Sequence, residues 1–357
     1  MITKLGNFIQ GEMYESTIYN PKVVGGLFVG GMMLNAHAAP ELYGYASLGV
    51  AANHTKTTNK TTNISTSTTD RPYLYSSGSR IGLRGSEKLN DDYEVLYKLE
   101  YRLENDGDLR NEKIKQPDGT EKTVAKTRNF EARDSWIGVK HKKYGTIKAG
   151  RMLSLDPYVR YTAYLASGVD GVRTNNTIAY ESPKIKDISF QAMYILDENK
   201  ETDTIGRDGY SLLVKKNTDT YNVGAAYAYF GKAKTSYGKL NYASRVTGNY
   251  KINEDYKVGG IYQQISYAND DSAKNNTEQA VGVTLQHFKD KWTHTAHINV
   301  VNNPSGKKGD GFELIGAIDR DISKNVSAGV DITYGNFSYE TEKKSYISPS
   351  VYATVYF

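Results

Sequence analysis

Two arginines, Arg80 and Arg84, stand four residues apart in a segment where polar and apolar residues alternate. Residues an even number apart on a β-strand point to the same face, so these two guanidinium groups share a face. The charged residues of the next segment also share one face: Glu94, Lys98, Glu100 and Arg102. Fixed charges in a row beside water act on ions and dipoles through their electric field, without making or breaking bonds.

Residues that could catalyse a reaction or hold a metal are few and poorly spaced. His294 and His297 are three apart, so a strand sends them to opposite faces and excludes a shared metal. Two pairs of adjacent carboxylates lie in polar connections, where solvation explains them: Asp91 with Asp92, and Asp270 with Asp271. The sequence carries no nucleophile elbow, phosphate-binding loop or calcium-binding loop. We therefore expect no enzyme, no cofactor and no metal site.

The elements that position these charges form a hairpin over residues 80–103. Its compact polar link, residues 89–92, turns the chain back. The second strand alternates, with a face of apolar and aromatic residues opposite the charged one: Tyr93, Val95, Tyr97, Leu99, Tyr101 and Leu103. Such a strand suits the wall of a soluble sandwich with its apolar face inside. It also suits a membrane barrel with lipid outside and water inside.

Composition narrows this choice. The chain has 357 residues, a net charge of +5, 30 Tyr, 33 Gly, 9 Phe and no Cys. Its mean hydropathy is −0.60, and the body has no uncharged apolar run of about 18 residues, which excludes a bundle of transmembrane helices. Alternating strands hide their hydrophobicity from such averages. No charged tail suggests a nucleic-acid partner, and no disulfide or thiolate metal site supports the fold.

The N-terminal segment has the pattern of an export signal. Lys22 precedes an apolar run over residues 23–34, and the small residues Ala36 and Ala38 frame a cleavage motif. We expect residues 1–38 to be a signal peptide and residues 39–357 to form one domain. Glu12 and Glu15 make the leader long and poorly basic for such a signal.

Polar connections divide the remaining chain into sixteen strands. Seven short turns are expected, at residues 90–92, 142–145, 184–187, 217–220, 253–256, 289–291 and 323–325. Eight long loops alternate with them, at residues 54–77, 105–127, 153–176, 197–208, 231–238, 269–276, 303–310 and 338–345. We expect the Thr, Asn and Ser tract over residues 55–69 to be a mobile surface loop. This alternation predicts an all-β fold, an even-numbered antiparallel transmembrane barrel with turns at one end and loops at the other.

Several short motifs support this interpretation in a fixed order. They are Leu42-Tyr43-Gly44, residues 79–87 (SRIGLRGSE), residues 133–139 with Trp136-Ile137-Gly138, residues 145–151 ending in Gly150-Arg151, residues 173–183 (RTNNTIAYESP), and Phe357. As a set they make the chain resemble the general trimeric porins of Gram-negative outer membranes, in particular those of beta-proteobacteria. The resemblance covers the expected sixteen strands. It implies a water-filled outer-membrane channel for passive diffusion of ions and small hydrophilic solutes.

The resemblance also implies roles for particular residues. In such porins the third loop folds into the barrel and narrows it opposite a cluster of arginines. The implied pore constriction comprises Arg80, Arg84, Arg133 and Arg173 on the wall, with Asp156 and Asp170 in the loop. Further lining candidates are Lys98, Glu100, Arg102 and Arg245. Arg151 corresponds to an arginine at the subunit interface, and Phe357 to the signal read by the barrel assembly machinery.

The expected partners follow from this assignment. They are two further copies of the chain in a homotrimer, outer-membrane lipid including lipopolysaccharide, the assembly machinery, and the transported ions and solutes. Alternation places Arg151 and Asp134 on outward faces, where lipid would penalise them but a subunit interface could pair them. Lining cations outnumber lining acids, so we expect a modest preference for anions.

Two other functions stay open on the sequence alone. A surface adhesin or structural barrel would have a closed lumen and binding loops. A barrel lipase would need Ser, His and a polar orienting residue converging on the outer face, and no such set occurs among the six His. Conductance after reconstitution distinguishes a porin, which gives stepwise channels, from an adhesin, which gives none.

Overall fold

The computed structural model describes residues 39–104, 109–115, 121–127, 130–154, 172–196, 209–235, 238–268 and 277–357. The expected signal peptide, residues 1–38, lies outside them. Within these ranges no helix is both long enough and apolar enough to cross a membrane.

The described segments contain twenty-one strands. In chain order they are β1 (Glu41–Ala51), β2 (His54–Asn59), β3 (Ser65–Thr69), β4 (Tyr73–Ser76), β5 (Arg80–Lys88), β6 (Tyr93–Leu103), β7 (Leu109–Lys115), β8 (Glu121–Thr127), β9 (Phe130–His141), β10 (Gly145–Leu153), β11 (Arg173–Glu181), β12 (Ile188–Ile195), β13 (Tyr210–Asn217), β14 (Tyr221–Thr235), β15 (Gly238–Lys251), β16 (Tyr256–Tyr267), β17 (Thr277–Lys289), β18 (Trp292–Asn302), β19 (Gly309–Ser323), β20 (Val326–Tyr339) and β21 (Glu342–Tyr356). Sixteen of them, β1, β5, β6 and β9 to β21, form one antiparallel wall. The sixteen-stranded barrel is therefore confirmed.

The wall closes where the first strand meets the last. β1 pairs with β21 in a continuous register from Tyr45 opposite Tyr356 to Ala51 opposite Ser350. At the turn end of this seam, the Gly44 amide donates to the Phe357 carbonyl at 2.9 Å, and the Phe357 amide donates to the Gly44 carbonyl at 3.1 Å. A closed ladder leaves no sheet edge, which is what a hydrocarbon environment requires of strands.

The two faces of each strand differ as the alternation predicts. On β20, Val330 and Ile332 are 48% and 47% exposed, whereas Asp331 and Thr333 between and beside them are 5% and 3% exposed. The other wall strands also carry exposed apolar side chains, which point out of the barrel and form a continuous apolar belt. This outward apolar belt is the surface that lipid covers.

Aromatic residues border the apolar belt at both ends. At the turn end, the Tyr256, His287 and His294 rings stack across three strands, with centroids 4.7 and 5.3 Å apart. At the loop end, Tyr210, Tyr227, Tyr229 and Tyr242 form a similar group. Aromatic rings with a polar edge are favoured at this boundary between hydrocarbon and water.

The two histidines of the expected wall point in opposite directions. His294 lies in the outward stack, whereas His297 is buried on the inner face, where it bonds Thr284 at 3.0 Å. The prediction that strand geometry keeps them apart is confirmed.

All seven short turns occur where the sequence predicts them, but four long connections differ. Within residues 105–127, β7 and β8 pair with each other in a separate two-stranded sheet. The tract over residues 55–69 forms the hairpin of β2 and β3, and β2 continues the ladder of β21. Residues 231–238 and 338–345 are mostly strand, because β14 with β15 and β20 with β21 extend past the apolar belt. Strands that extend into water need no apolar face, so these segments have the polar composition of loops and were predicted as loops.

The inner face is less polar than the alternation predicts. Apolar inward side chains form buried clusters on β14 to β16 and on β10 to β14, among them Phe230, Leu240 and Ile265 at 1%, 0% and 0% exposure. These side chains are covered from solvent, so they do not line an aqueous channel.

Four tyrosines near the closure seam share one arrangement, which we call the tyrosine straps. Each ring lies on the inner face across a glycine of the neighbouring strand, and each hydroxyl donates to a residue one strand further on. The four straps are Tyr43 over Gly82 to Glu100, Tyr75 over Gly49 to Ser350, Tyr346 over Gly335 to Glu313, and Tyr352 over Gly329 to Asp319. A Cβ on any of the four glycines would collide with the ring above it. The glycine is therefore what lets each ring lie flat.

Arginine at Val330 is expected to destabilise the barrel folded in lipid by about 2 to 4 kcal/mol, because the charge would enter the apolar belt. Arginine at the inward Ala317 should cost far less, since it faces the interior opposite Asp331. Gly329 is unsuitable as the inward control, because a Cβ there would lie 2.7 Å from the Tyr352 ring. Urea titrations of both variants in lipid vesicles measure the difference. Equal penalties would show that the faces are assigned wrongly.

Candidate functional site: a charge cluster on the inner wall

Six charged side chains meet on the inner face of β5, β6, β9 and β11. We call them the charge cluster: Arg80, Lys98, Glu100, Arg133, Asp134 and Arg173. Five of them are at most 8% exposed, and Lys98 is the more accessible member, with a side chain 24% exposed. Buried charges persist only when they are paired, and here each has a partner of opposite sign.

Glu100 is the centre of the cluster. Its Oε1 accepts from Arg133 Nε at 2.6 Å, and its Oε2 lies 3.1 Å from Lys98 Nζ. The Tyr43 hydroxyl donates to Oε2 at 2.9 Å. Arg80 approaches Oε1 more loosely, at 3.8 Å. A carboxylate with this many donors remains ionised and holds the cations around it in place.

Asp134 is the second carboxylate, and it joins the two sides of the cluster. Its Oδ2 accepts from Lys98 Nζ at 2.9 Å, and its Oδ1 accepts from Arg173 Nε at 2.9 Å. Asp134 is 4% exposed and points inward. The expectation that it faces outward at a subunit interface is therefore wrong.

A β-bulge explains why Asp134 turns inward. Between β6 and β9 the register runs from Leu99 opposite Ser135 to Tyr101 opposite Ala132, so that Glu100 alone faces two residues. One extra residue in a strand interrupts the alternation, and side chains of adjacent residues can then share a face. Arg133 and Asp134 both reach Glu100's side of the wall for this reason.

A second interruption positions Arg80. Between β4 and β5 the chain leaves the ladder, with Gly78 at φ +70°, and the Ser79 side chain replaces the missing backbone partners. Ser79 Oγ accepts from the Ser47 amide at 2.9 Å and donates to the Ser47 carbonyl at 3.0 Å. The next residue, Arg80, lies over the Tyr45 ring at 4.7 Å and donates to the Tyr45 hydroxyl at 2.5 Å.

Three other predicted residues lie outside the cluster. Arg84 forms a bidentate ion pair with Glu41, at 2.8 and 2.7 Å, near the turn end of β5. Arg102 pairs with Glu104 at 2.8 Å. Arg245 lies on β15, seven wall strands from β6, where it is 1% exposed.

Arg245 also has its own partner on the opposite wall. Its Nε donates to Gln263 Oε1 at 3.0 Å. It is therefore part of a separate buried polar contact and does not extend the charge cluster. The loop acids Asp156 and Asp170 lie outside the described residues.

Arg151 points outward, as alternation predicts. Its NH1 donates to Asn175 Oδ1 at 2.8 Å, and its Nε donates to the Ala132 carbonyl at 3.1 Å. The preceding Gly150 has φ +139°, and a Cβ there would lie 2.8 Å from the Trp136 Cα, so the sharp bend before Arg151 requires glycine. Arg151 and Asn175 thus form a polar pair on the outside of the barrel.

Sequence reasoning missed three residues that hold the cluster together: Asp134, Tyr43 and Tyr45. The adjacent charges of Arg133 and Asp134 were a usable signal, because two neighbouring charges cannot both face water on a regular strand. Within the described residues, no group of three His, Asp or Glu is placed to hold a metal ion. What the cluster can do is electrostatic: four cationic groups against two carboxylates leave a formal charge of +2.

Comparisons with known proteins agree with the barrel fold. No curated protein sequence matches the chain. Among solved structures, the anion-selective porin from Comamonas acidovorans superposes with a TM-score of 0.64 at 15% identity, covering 89% of this chain and 99% of that one. The trimer form of OmpT from Vibrio cholerae gives 0.62 at 17% identity, covering 89% and 100%. OmpF from Salmonella typhi in complex with daunomycin gives 0.58 at 16%, covering 88% and 97%.

Sequence identities this low establish a common fold alone. The family is assigned from a match of the sequence to a family pattern. The sequence pattern of the Gram-negative porins fits residues 33–340, which is most of the chain. The chain therefore belongs to the Gram-negative porin family, and it is a multi-pass β-barrel of the outer membrane that serves as a channel for passive diffusion of small solutes.

Proposed function

We propose that the charge cluster forms part of the narrow section of the channel and gives it a modest preference for anions. The observation that carries this proposal is the formal charge of +2 on one side of the inner wall. Lys98, whose side chain is 24% exposed, is the member of the cluster that presents positive charge to the solvent there. The similar barrel from Comamonas acidovorans carries the description anion-selective.

The proposed mechanism is a fixed field rather than a binding site. A solute passing the cluster meets cations held rigidly by Glu100 and Asp134, so an anion gains electrostatic energy that a cation loses. Water ordered by the same field disfavours apolar solutes. The preference stays modest, because screening at 0.1 M salt acts over about 10 Å and ions in a wide pore keep most of their hydration.

Replacing Arg80, Arg133 and Arg173 together by Ser removes three positive charges and changes the formal charge of the cluster from +2 to −1. We expect larger single-channel conductance and a reversal potential shifted toward cations, measured in a salt gradient across a planar bilayer. The structure favours Arg173 over Arg84 for this test, because Arg84 pairs with Glu41 outside the cluster.

Two further variants keep this test decisive if the triple variant folds poorly. Glu100→Gln with Asp134→Asn raises the formal charge to +4 without adding bulk, so anion preference should increase. Arg84→Ser removes one charge elsewhere on the inner wall and should change the reversal potential little. A wild-type channel that prefers cations would contradict the proposed sign. If the triple variant shifted the reversal potential no more than Arg84→Ser does, the cluster would not lie in the narrow section.

We also propose that the protein is a homotrimer whose interface includes Arg151. The outward pair of Arg151 and Asn175 would be costly in lipid, whereas a neighbouring subunit could complete its hydrogen bonds. One of the similar structures, OmpT, is described as a trimer.

Mass measurement of the detergent-extracted protein should give three chains. Arg151→Ala should lower the temperature at which the trimer dissociates, since an outward polar anchor is lost. Arg320→Ala, which removes an outward guanidinium on β19, is the matched control and should leave the trimer intact. A barrel that conducts as a monomer would refute the homotrimer.

Processing and assembly complete the proposal. We infer that cleavage after Ala38 releases a mature chain starting at Ala39, that Phe357 beside the seam is read by the assembly machinery, and that lipopolysaccharide surrounds the outer part of the apolar belt. N-terminal sequencing of protein extracted from outer membranes should begin at Ala39. An uncleaved N-terminus would contradict the assigned signal.

A further inference from the structure

A groove crosses the lipid-facing surface of β17 to β20. It consists of two adjoining hollows of about 490 and 500 Å³, which share an apolar lining that includes Leu285, Ala296, Gly316 and Ile332. All four residues belong to one row of registered positions on adjacent strands. We call this feature the wall groove.

The wall groove exists because two adjacent strands carry small residues at the same level. Ala296 and Gly316 are registered opposite each other and form the floor, while Leu285 and Ile332 form its sides. A Cβ built on Gly316 meets only Ile332 Cγ2, at 3.8 Å, so the backbone needs no glycine there. The missing side chain therefore leaves open space rather than relieving strain.

Cations border the groove at its turn end. Arg320 lies over the Trp292 ring at 4.8 Å, and Lys289 is registered opposite Trp292 on the other side. One row closer to the groove is the stacked pair of His287 and His294. We call Lys289, Trp292 and Arg320 the cationic rim.

The nearest acids do not cancel this charge on the outward face. Asp319 and Asp321 flank Arg320 on the same strand, so alternation turns them inward, and Asp319 accepts a bond from the Tyr352 hydroxyl inside the barrel. Asp290 lies in the adjoining turn between Lys289 and Lys291. Asp255 lies in the next turn, where its carbonyl accepts from the Phe288 amide at 2.7 Å. Lys289, Lys291 and Arg320 outnumber Asp290 and Asp255, so the edge beneath the groove is net positive.

We propose that the wall groove and its cationic rim bind one glycerophospholipid of the periplasmic leaflet. An acyl chain fills the groove, and the phosphate contacts Arg320 and Lys289. The groove lies in the apolar belt, where water is disfavoured, so hydrocarbon is the occupant that its lining selects. The short turns place the rim at the periplasmic surface, where phosphate groups meet the ends of the strands.

The two parts of the site can be removed separately. Gly316→Leu fills the groove and leaves all charges in place, and the open space above its Cα accepts the side chain. Arg320→Ala with Lys289→Ala removes the cationic rim and leaves the groove. Lys216→Ala is the control, since Lys216 lies over the Tyr221 ring at 5.4 Å at the same end of the barrel, on β13 rather than on the strands that form the wall groove.

The experiment is native mass spectrometry of the delipidated, refolded protein titrated with dioleoylphosphatidylglycerol. We expect one tightly held lipid per chain in the wild type. Binding should weaken about tenfold in the rim variant, the effect expected from losing a charge-assisted hydrogen bond. It should weaken similarly in Gly316→Leu and stay unchanged in Lys216→Ala. Dioleoylglycerol, which has the acyl chains without the phosphate, should bind the wild type as weakly as the phospholipid binds the rim variant.

Specific outcomes would overturn the proposal. Unchanged lipid retention in Gly316→Leu would show that the groove holds no acyl chain. Equal losses in Lys216→Ala and the rim variant would reduce the effect to general attraction between cations and anionic lipid. Lipopolysaccharide displacing the phospholipid from the wild type would assign the groove to the other leaflet. Single-channel conductance reports folding in each variant and does not depend on the proposed site.

Discussion

Hydrogen bonding of the backbone in a water-free environment is the constraint on which this structure depends. Each N–H and C=O within the bilayer must find a partner in the protein, and a sheet achieves this only by closing on itself. Pairing of β1 with β21 closes it here. Once all backbone groups are hydrogen-bonded, the side chains on the two faces can differ in polarity. Alternation with a period of two residues is therefore the main sequence pattern that indicates this fold.

The residues that we propose to act in the channel and at the subunit interface lie where the ladder is interrupted. The gap before Arg80 is filled by Ser79, and the bulge opposite Glu100 turns Arg133 and Asp134 inward together. Another interruption, at Gly150, lies beside the outward pair of Arg151 and Asn175. A regular strand supplies one inward side chain every second residue. Bulges allow a higher local density of charge, which a field across a channel requires.

Alternation and turn chemistry were enough to predict the strand number, the turns and the faces. Val330 and Asp331 illustrate this success, because their opposite surroundings follow from position alone. Asp134 was misplaced because counting residues cannot detect a bulge that depends on pairing with another strand. The strands beyond the apolar belt were missed for a different reason: in water, Thr and Asn residues form a ladder as readily as a loop, and only their pairing partners decide between the two.

The tyrosine straps have a consequence for how the barrel closes. Each strap joins two strands across a third, so its hydroxyl bond forms only if the middle strand presents its glycine at the right level. A slip of one residue would put a side chain under the ring and separate the hydroxyl from its acceptor. The Tyr75 strap spans the meeting of β1 and β21 itself, and the other three flank it. A misaligned closure at this junction, which joins residues about 300 positions apart, would satisfy the backbone and still leave the Tyr75 hydroxyl without its acceptor, so one side-chain bond depends on the correct register of the seam.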